Sequence, residues 1–304
     1  IQQKMMLAPT ALLSIIATIG SRRLAFCTPY TGSNISRFGS AKVGRRMSQR
    51  TGSSSTRTRL ASSSSESATT KDDFQAQLDG PELPPVAEGS KRLFLVRHGE
   101  VINPGGDRPV FYGALDVDLS PLGELEAKAA GAYLQQFALQ NVAASPLKRA
   151  VYGANQVLSR QENTDGDVKI INGLTELDRG AWCGKTKGEI GEENMAKFDA
   201  CDESATPEGG ESYPFLKNRV LAARDELLEM TDCGKASAIV SHLQVTRSML
   251  SDAMGIPTGE MSLLKVATAS VTCIDYDATT GTQTVHYQSF KPDAGLEISK
   301  DGAN

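Results

Sequence analysis

The sequence predicts an α/β domain over residues 91–290, on three observations. Short apolar runs of strand length alternate with longer segments of helical periodicity. Two of the helical segments open on Ser-Pro, and one stops at Gly255-Ile256-Pro257. Two of the chain's three histidines directly follow a predicted buried strand. Strands and helices in alternation build a mostly parallel sheet covered by helices on both faces.

The first strand is Leu93-Phe94-Leu95-Val96, ending on Arg97, His98 and Gly99. In an open α/β sheet, chemistry sits where strands end. An arginine beside a histidine there suits a phosphate. Its charge neutralises the dianion and disfavours imidazolium, which leaves a ring nitrogen free to attack. Read alone, the pair also fits a solvated strand end. A Gly- and Pro-rich loop follows from Asn103 to Gly113. Ser120 then reads as N-cap and Pro121 as the first helical residue. Leu122, Leu125, Ala129, Ala132 and Tyr133 supply that helix's apolar face. Asn141 to Ala144 is the second strand. Ser145-Pro146 reads as a further helix start, with Arg149 in the first turn. There Arg149 either reaches the strand-end edge of the sheet or is a solvated helix charge. Val168 to Ile171 is the third strand, followed by a Gly-rich loop carrying the only tryptophan, Trp182. Residues 185–201 read as short helices and Phe215 to Met230 as a long amphipathic one. Ala236 to Ser241 is a buried strand that His242 follows directly, repeating the arrangement at His98. Leu243 to Met254 is helical. Ser270 to Tyr276 and Thr282 to Gln288 close the domain as a hairpin or as neighbouring edge strands. His286, in mid-strand, reads as structural, and the chain from Lys291 as frayed.

Charge is unevenly distributed. The chain has 304 residues and net charge -4. Residues 1–65 hold ten Lys or Arg and no Asp or Glu, so the rest carries 22 basic against 36 acidic side chains. So acidic a domain is a poor nucleic-acid binder, and an anionic ligand needs a local basic pocket. Residues 1–65 read as a targeting leader. Residues 5–25 are signal-peptide-like, too short for a membrane span, with the chain's start expected at Met5 or Met6. Residues 26–65 have the Ser/Arg-rich, acid-free composition of a transit peptide. The tandem, with Ala25-Phe26 at its junction, resembles the bipartite leader of algal complex plastids. Plastid targeting is the expectation, with mitochondrial or secreted as the alternatives, and no membrane attachment in the mature form. Residues 66–90 read as a disordered linker and 291–304 as a tail. The five cysteines show no Cys-x-x-Cys spacing, so neither a zinc site nor a disulfide framework is implied.

The motifs, taken together, resemble the histidine phosphatase superfamily, also called phosphoglycerate mutase-like. Leu95-Val96-Arg97-His98-Gly99-Glu100 is similar to its first motif. Gly113-x-x-Asp116-x-x-Leu119-Ser120-x-x-Gly123, Ser145-Pro146-Leu147-Lys148-Arg149-Ala150, Leu174-x-Glu176-x-x-x-Gly180-x-Trp182-x-Gly184, Gly210-Glu211-Ser212 and Val240-Ser241-His242 with Arg247 follow in family order. The resemblance implies a three-layer α/β/α sandwich, mostly parallel with an antiparallel edge. It also implies roles. His98 is the nucleophile, Arg97, Arg149 and His242 bind the phosphoryl oxygens, and Glu176 is the general acid, with Asp178 and Glu100 as rivals. No metal or cofactor is implied.

Some positions depart from the family pattern. Val101 and Pro104 stand where Thr or Ser and Asn are usual, so Asn103, one residue early, is the candidate phosphate contact. Leu243-Gln244 replaces the usual Gly-Gly, so Leu243 is expected to narrow the pocket and Gln244 to touch ligand. The loop Glu176-Leu177-Asp178-Arg179-Gly180 and a domain near 200 residues favour the phosphatase branch. The expected activity is therefore metal-independent hydrolysis of a small phosphorylated metabolite through a phosphohistidine. Phosphoglycerate mutase activity is the alternative. A non-catalytic phospholigand-binding protein is a second one, disfavoured because all four pocket residues are present.

Overall fold

A computed structural model of the chain describes residues 80–162 and 166–293, all within the compact unit Ser65–Asn304. The leader, most of the linker and the last eleven residues lie outside the described residues. Six strands form one sheet: β1 (Ser90–Arg97), β2 (Leu139–Ala144), β3 (Lys169–Ile170), β4 (Ala236–Ser241), β5 (Val271–Asp277) and β6 (Gln283–Phe290). Their order is β3-β2-β4-β1-β5-β6. The first four run parallel, and β5 and β6 add an antiparallel edge through a hairpin. Helices are α1 (Pro121–Leu134), α2 (Lys148–Leu158), α3 (Lys187–Ile190), α4 (Glu192–Asp199), α5 (Tyr213–Glu229) and α6 (Leu243–Ala253).

Alternation along β1 divides the core into two layers. Leu93 and Leu95 point to one face with Ile239 and Ile274, where Leu216 and Val220 of α5 and Met249 of α6 cover them. Phe94 and Val96 point to the other, against Ala130 and Tyr133 of α1 and Ala154 and Val157 of α2. A sheet buried on both faces needs near-continuous apolar strands, and all six residues of β4 are buried. The result is the three-layer α/β/α sandwich that the sequence predicts.

Several details differ from the sequence expectations. The apolar face of α1 is partly rotated. The helix buries Tyr133, as expected, with Gly123, Glu126, Ala127, Ala130, Gly131 and Leu134, while Leu122 is half-buried and Leu125 exposed. Glu126 can join that face because its carboxylate accepts from the Glu100 amide at 2.8 Å and from Thr268 Oγ1 at 3.2 Å, and pairs with Lys291. Helix α2 begins at Lys148 with Leu147 as N-cap, so Ser145 is not its cap. Lys291 is anchored on Glu126 rather than frayed. The end of the expected linker is packed, with Leu83 against the α1 layer. His286 Nε2 donates to the Asp275 carboxylate at 2.8 Å, and Asp275 holds the buried Arg92 through two hydrogen bonds, which accords with a structural histidine.

Gly99 and Gly123 lock the exit of β1 to the start of α1. A Cβ on Gly123 would overlap the Glu100 carbonyl, and one on Gly99 would overlap the Gly123 carbonyl. Both obstacles are backbone, so neither can swing aside. Gly123→Ala is therefore expected to lower unfolding stability by about 2–3 kcal/mol, the usual cost of overpacking a rigid site. Urea denaturation of the two chains measures this, and coincident midpoints would refute the close approach.

Candidate active site

Parallel pairing brings three strand ends to one edge. Arg97 is opposite Ser241 in the register of β1 and β4, and Ala144 is opposite Val240 in that of β2 and β4. The next residue of each strand is then His98, His242 and Ser145. The His98 amide donates to the Ser241 carbonyl at 2.9 Å and the Ser145 amide to the Val240 carbonyl at 3.1 Å, which extends the ladder past the strands. Neighbouring strands lie nearly 5 Å apart. The imidazole centroids of His98 and His242 accordingly stand 5.1 Å apart, tilted by 60°.

The tautomer of His98 follows from its partner. Nδ1 lies 2.6 Å from the Gly99 carbonyl oxygen, which can only accept, so Nδ1 carries the hydrogen. The lone pair is then on Nε2. Burial, and next the charges of Arg97 and Arg149, hold the His98 pKa well below the ordinary value. The ring is thus neutral at neutral pH, with a free lone pair on Nε2. His242 is fully buried, with Nε2 2.7 Å from Ser145 Oγ and Nδ1 without a partner among the described residues. Ser145 Oγ also accepts from the Leu147 amide at 3.3 Å. In the tautomer where the hydroxyl gives its own hydrogen to Nε2, Nδ1–H of His242 is a donor. Burial, Arg149 and His98 push the His242 pKa down as well. Sequence reasoning missed Ser145 as a site residue because Ser-Pro reads locally as a cap.

Two buried guanidiniums flank the imidazoles. Arg97 Nη1 donates to the Val266 carbonyl at 2.7 Å, and Arg149 donates to the carbonyls of Leu115 at 2.6 Å and Gly113 at 2.8 Å. The Nε atoms of both are buried without a partner among the described residues. Each orphaned donor costs about 1–3 kcal/mol if nothing receives it. Arg149 is only 1% exposed, so it is not a solvated helix charge.

Of the three candidate acids Glu176, Asp178 and Glu100, Glu176 is the one that lines the cavity, which Asp199 also borders. Glu176 Oε1 accepts from the Leu177 amide at 2.7 Å and Oε2 from the Gln244 amide at 3.3 Å, so the carboxyl group is held in place. Its rivals are committed elsewhere. Glu100 accepts from Ser120 Oγ at 2.7 Å, and Asp178 accepts from the Gly180 amide at 2.8 Å. Leu243 and Gln244 line the cavity, as their replacement of small residues predicts. Asn103 does not. Its Oδ1 accepts from the Gly105 amide at 2.9 Å and its Nδ2 donates to the Val110 carbonyl at 3.2 Å, which bends the amide back into its own loop. A phosphate contact from Asn103 is therefore set aside.

The cavity above His98 measures about 350 Å³. Its wall includes Phe111, Tyr112, Arg179, Phe198, Tyr213 and Arg247. Among the described residues no group of three or more His, Cys, Asp or Glu is placed to hold a metal ion, and no helix is long and apolar enough to cross a membrane.

Comparison with known proteins agrees with this geometry. The family model of the histidine phosphatase superfamily (branch 1) matches residues 93–288. A 2,3-bisphosphoglycerate-dependent phosphoglycerate mutase of Cytophaga hutchinsonii is 29% identical over 214 residues, covering 68% of this chain and 97% of that protein. Phosphoserine phosphatase 1 of Hydrogenobacter thermophilus is 30% identical over 169 residues, covering 54% of this chain and 77% of that one. The solved structure of Bacillus stearothermophilus YhfR superposes with a TM-score of 0.57 at 25% identity, covering 66% of this chain and 97% of its own.

The two neutral imidazoles predict a pH dependence of stability. An imidazole kept neutral in the folded chain protonates freely once unfolded, so the unfolded state binds more protons as pH falls below about 6.5. The contribution is full above that value and is lost as pH drops through it. Each histidine should account for a loss of about 1 kcal/mol between pH 7 and pH 5.5. Urea midpoints at the two pH values read the total, and the His98→Gln chain should lose about 1 kcal/mol less than the wild type. A loss as large in the variant as in the wild type would show that His98 titrates normally.

Proposed function

The chain belongs to the histidine phosphatase superfamily, branch 1, and from that premise we propose that it hydrolyses small phosphomonoesters through a phosphohistidine on His98. The observation carrying this reading is the neutral, buried His98, its Nε2 lone pair free, set among donors that have no partner among the described residues.

The reaction runs in two steps. Nε2 of His98 attacks phosphorus and the ester P–O bond breaks. Glu176, as the carboxylic acid, gives its proton to the departing alkoxide. The transferring group spreads negative charge over its equatorial oxygens, and catalysis is mainly positioning and charge stabilisation. The fixed charges of Arg97 and Arg149 and the Nδ1–H of His242 supply that stabilisation with no rearrangement. In the second step the Glu176 carboxylate takes a proton from water, and the resulting hydroxyl attacks phosphorus. The P–N bond breaks, inorganic phosphate leaves, and His98 and protonated Glu176 are restored.

The mutase reading has its own support in the Cytophaga hutchinsonii relative, which matches almost end to end. The two readings differ in whether water or a second substrate hydroxyl receives the phosphoryl group. Hydrolysis is favoured by the loop from Glu176 to Gly180 and by the short chain between Glu176 and α5, which holds only α3, α4 and single 3-10 turns. Relatives described as phosphatases, such as that of Hydrogenobacter thermophilus, also support it.

Incubation with 3-phosphoglycerate should release glycerate and free phosphate, whereas 2-phosphoglycerate without free phosphate would install the mutase reading instead. His98→Ala should lower hydrolysis of p-nitrophenyl phosphate by roughly three orders of magnitude or more. Glu176→Gln should slow alkyl phosphates about 10²–10⁴-fold and the aryl ester much less, because nitrophenolate leaves without a proton. Equal effects on both esters would remove Glu176 from the acid role.

A further inference from the structure

The motif Gly210-Glu211-Ser212 contributes nothing to the wall of the cavity above His98. Glu211 is nonetheless buried, and its carboxylate holds Arg219 of α5 in a bidentate pair. Arg219 Nε donates to Oε1 at 2.6 Å and Nη2 to Oε2 at 2.7 Å. Every N–H of the guanidinium is used. Nη1 donates to the carbonyls of Gly173 at 2.9 Å and Thr175 at 2.7 Å, and Nη2 also donates to the carbonyl of Glu176 at 3.3 Å. The motif's own backbone is stitched to the same loop. The Glu211 amide donates to the Asp178 carbonyl at 3.0 Å, and the Ala181 amide to the Glu208 carbonyl at 2.9 Å.

These bonds converge on one peptide unit. Leu174 and Leu177 anchor the loop in the core, but their side chains do not set the direction of the peptide between Glu176 and Leu177. A peptide is planar, so whatever fixes its C=O also fixes its N–H. Arg219 holds the C=O of Glu176, and the N–H of that same plane, on Leu177, donates to Glu176 Oε1 at 2.7 Å. A carbonyl that accepts from a cation also polarises its N–H, which strengthens the bond to the carboxyl group. Glu176 borders a second cavity as well, of about 340 Å³, whose wall includes Glu211, Phe215 and Arg219. Open space on two sides leaves the loop dependent on these hydrogen bonds for its place.

We propose that Glu211 and Arg219 are positioning residues for proton transfer: their ion pair orients the Glu176–Leu177 peptide and so aims the Glu176 carboxyl group at the leaving oxygen. This deepens the phosphatase reading and rests on it for the role of Glu176. Neither side chain lines the cavity above His98, so the pair governs protonation of the departing alcohol and leaves the phosphoryl contacts alone.

Phenyl phosphate and p-nitrophenyl phosphate test this, because nitrophenolate leaves readily without a proton and phenolate does not. The quantity read is kcat/KM for each ester. Arg219→Lys keeps the charge that His242 feels but loses the fork. It should lower kcat/KM about tenfold for phenyl phosphate and no more than about threefold for the nitrophenyl ester, and Glu211→Gln should do the same. In a Glu176→Gln chain neither substitution should change the ratio of the two esters further, because the pair acts through that carboxyl group. Equal falls for both esters would reduce the pair to a structural brace, no fall would remove it from catalysis, and a further change in the Glu176→Gln chain would show that it acts elsewhere. Each of these overturns the proposal. If Arg219→Lys does not fold, Glu211→Gln decides alone. If the wild-type chain hydrolyses neither ester, the phosphatase reading fails, and amide hydrogen exchange then decides the positioning. The Leu177 amide should exchange about tenfold faster in Arg219→Lys while the β4 amides stay as they were. Exchange at Leu177 that is unchanged, or faster only in step with β4, would overturn it.

Discussion

Buried positive charge without a carboxylate bonded to it is the constraint on which this structure turns. The guanidinium hydrogen bonds of Arg97 and Arg149 go to backbone carbonyls, and each keeps an orphaned Nε. Taking a cation out of water is costly unless it is paired. Carbonyl dipoles recover part of that cost, and both arginines also feel Tyr112 and Glu176. Burial, the largest cause, lowers the pKa of both guanidiniums from the ordinary arginine value, and both keep their charge. Burial first, and then the same positive field, keeps His98 and His242 neutral. An anion at this point satisfies the orphaned donors and compensates the charge together.

The fold sustains the arrangement by rigidity. The pocket stands on three parallel strand ends whose ladder continues into His98 and Ser145. The chain leaving β1 is pinned by the Gly99–Gly123 contact and by Glu126, which accepts from the Glu100 amide. Glu126 is in turn held by Lys291 from the far end of the domain. The residue just past the final strand therefore helps to position the exit of β1, although the two are nearly 200 residues apart.

Much of this was legible in the residues. The strands, their parallel class and the approach of His98 to His242 follow from apolar runs that end on polar residues. Arg149 reaches the site although α2 starts later than Ser145-Pro146 suggests, because a first-turn side chain leans towards the strand ends. What escaped sequence reasoning depends on distant partners. Asn103 has the right chemistry for phosphate, but its own loop claims both ends of the amide. Ser145 matches a cap locally, yet its hydroxyl is bound by His242, 97 residues later. The apolar face of α1 was partly misplaced because periodicity ranks Leu125 above Glu126, and only the folded chain supplies the partners that bury a carboxylate. Nothing near Arg179 in sequence announces that its guanidinium lies 4.7 Å from the Phe111 ring and 4.4 Å from the Phe198 ring, since the two come from separate segments.

The central claim is that a lone pair on Nε2 of His98 takes the phosphoryl group. Mixing the full chain with p-nitrophenyl phosphate, quenching in base within milliseconds and mapping the phosphate by mass spectrometry and 31P NMR tests it most directly. The account predicts an acid-labile, base-stable phosphoramidate on Nε2 of His98, formed and lost at rates that support turnover. Turnover with no phosphoenzyme, or with the phosphate on His242 or any other side chain, would contradict it.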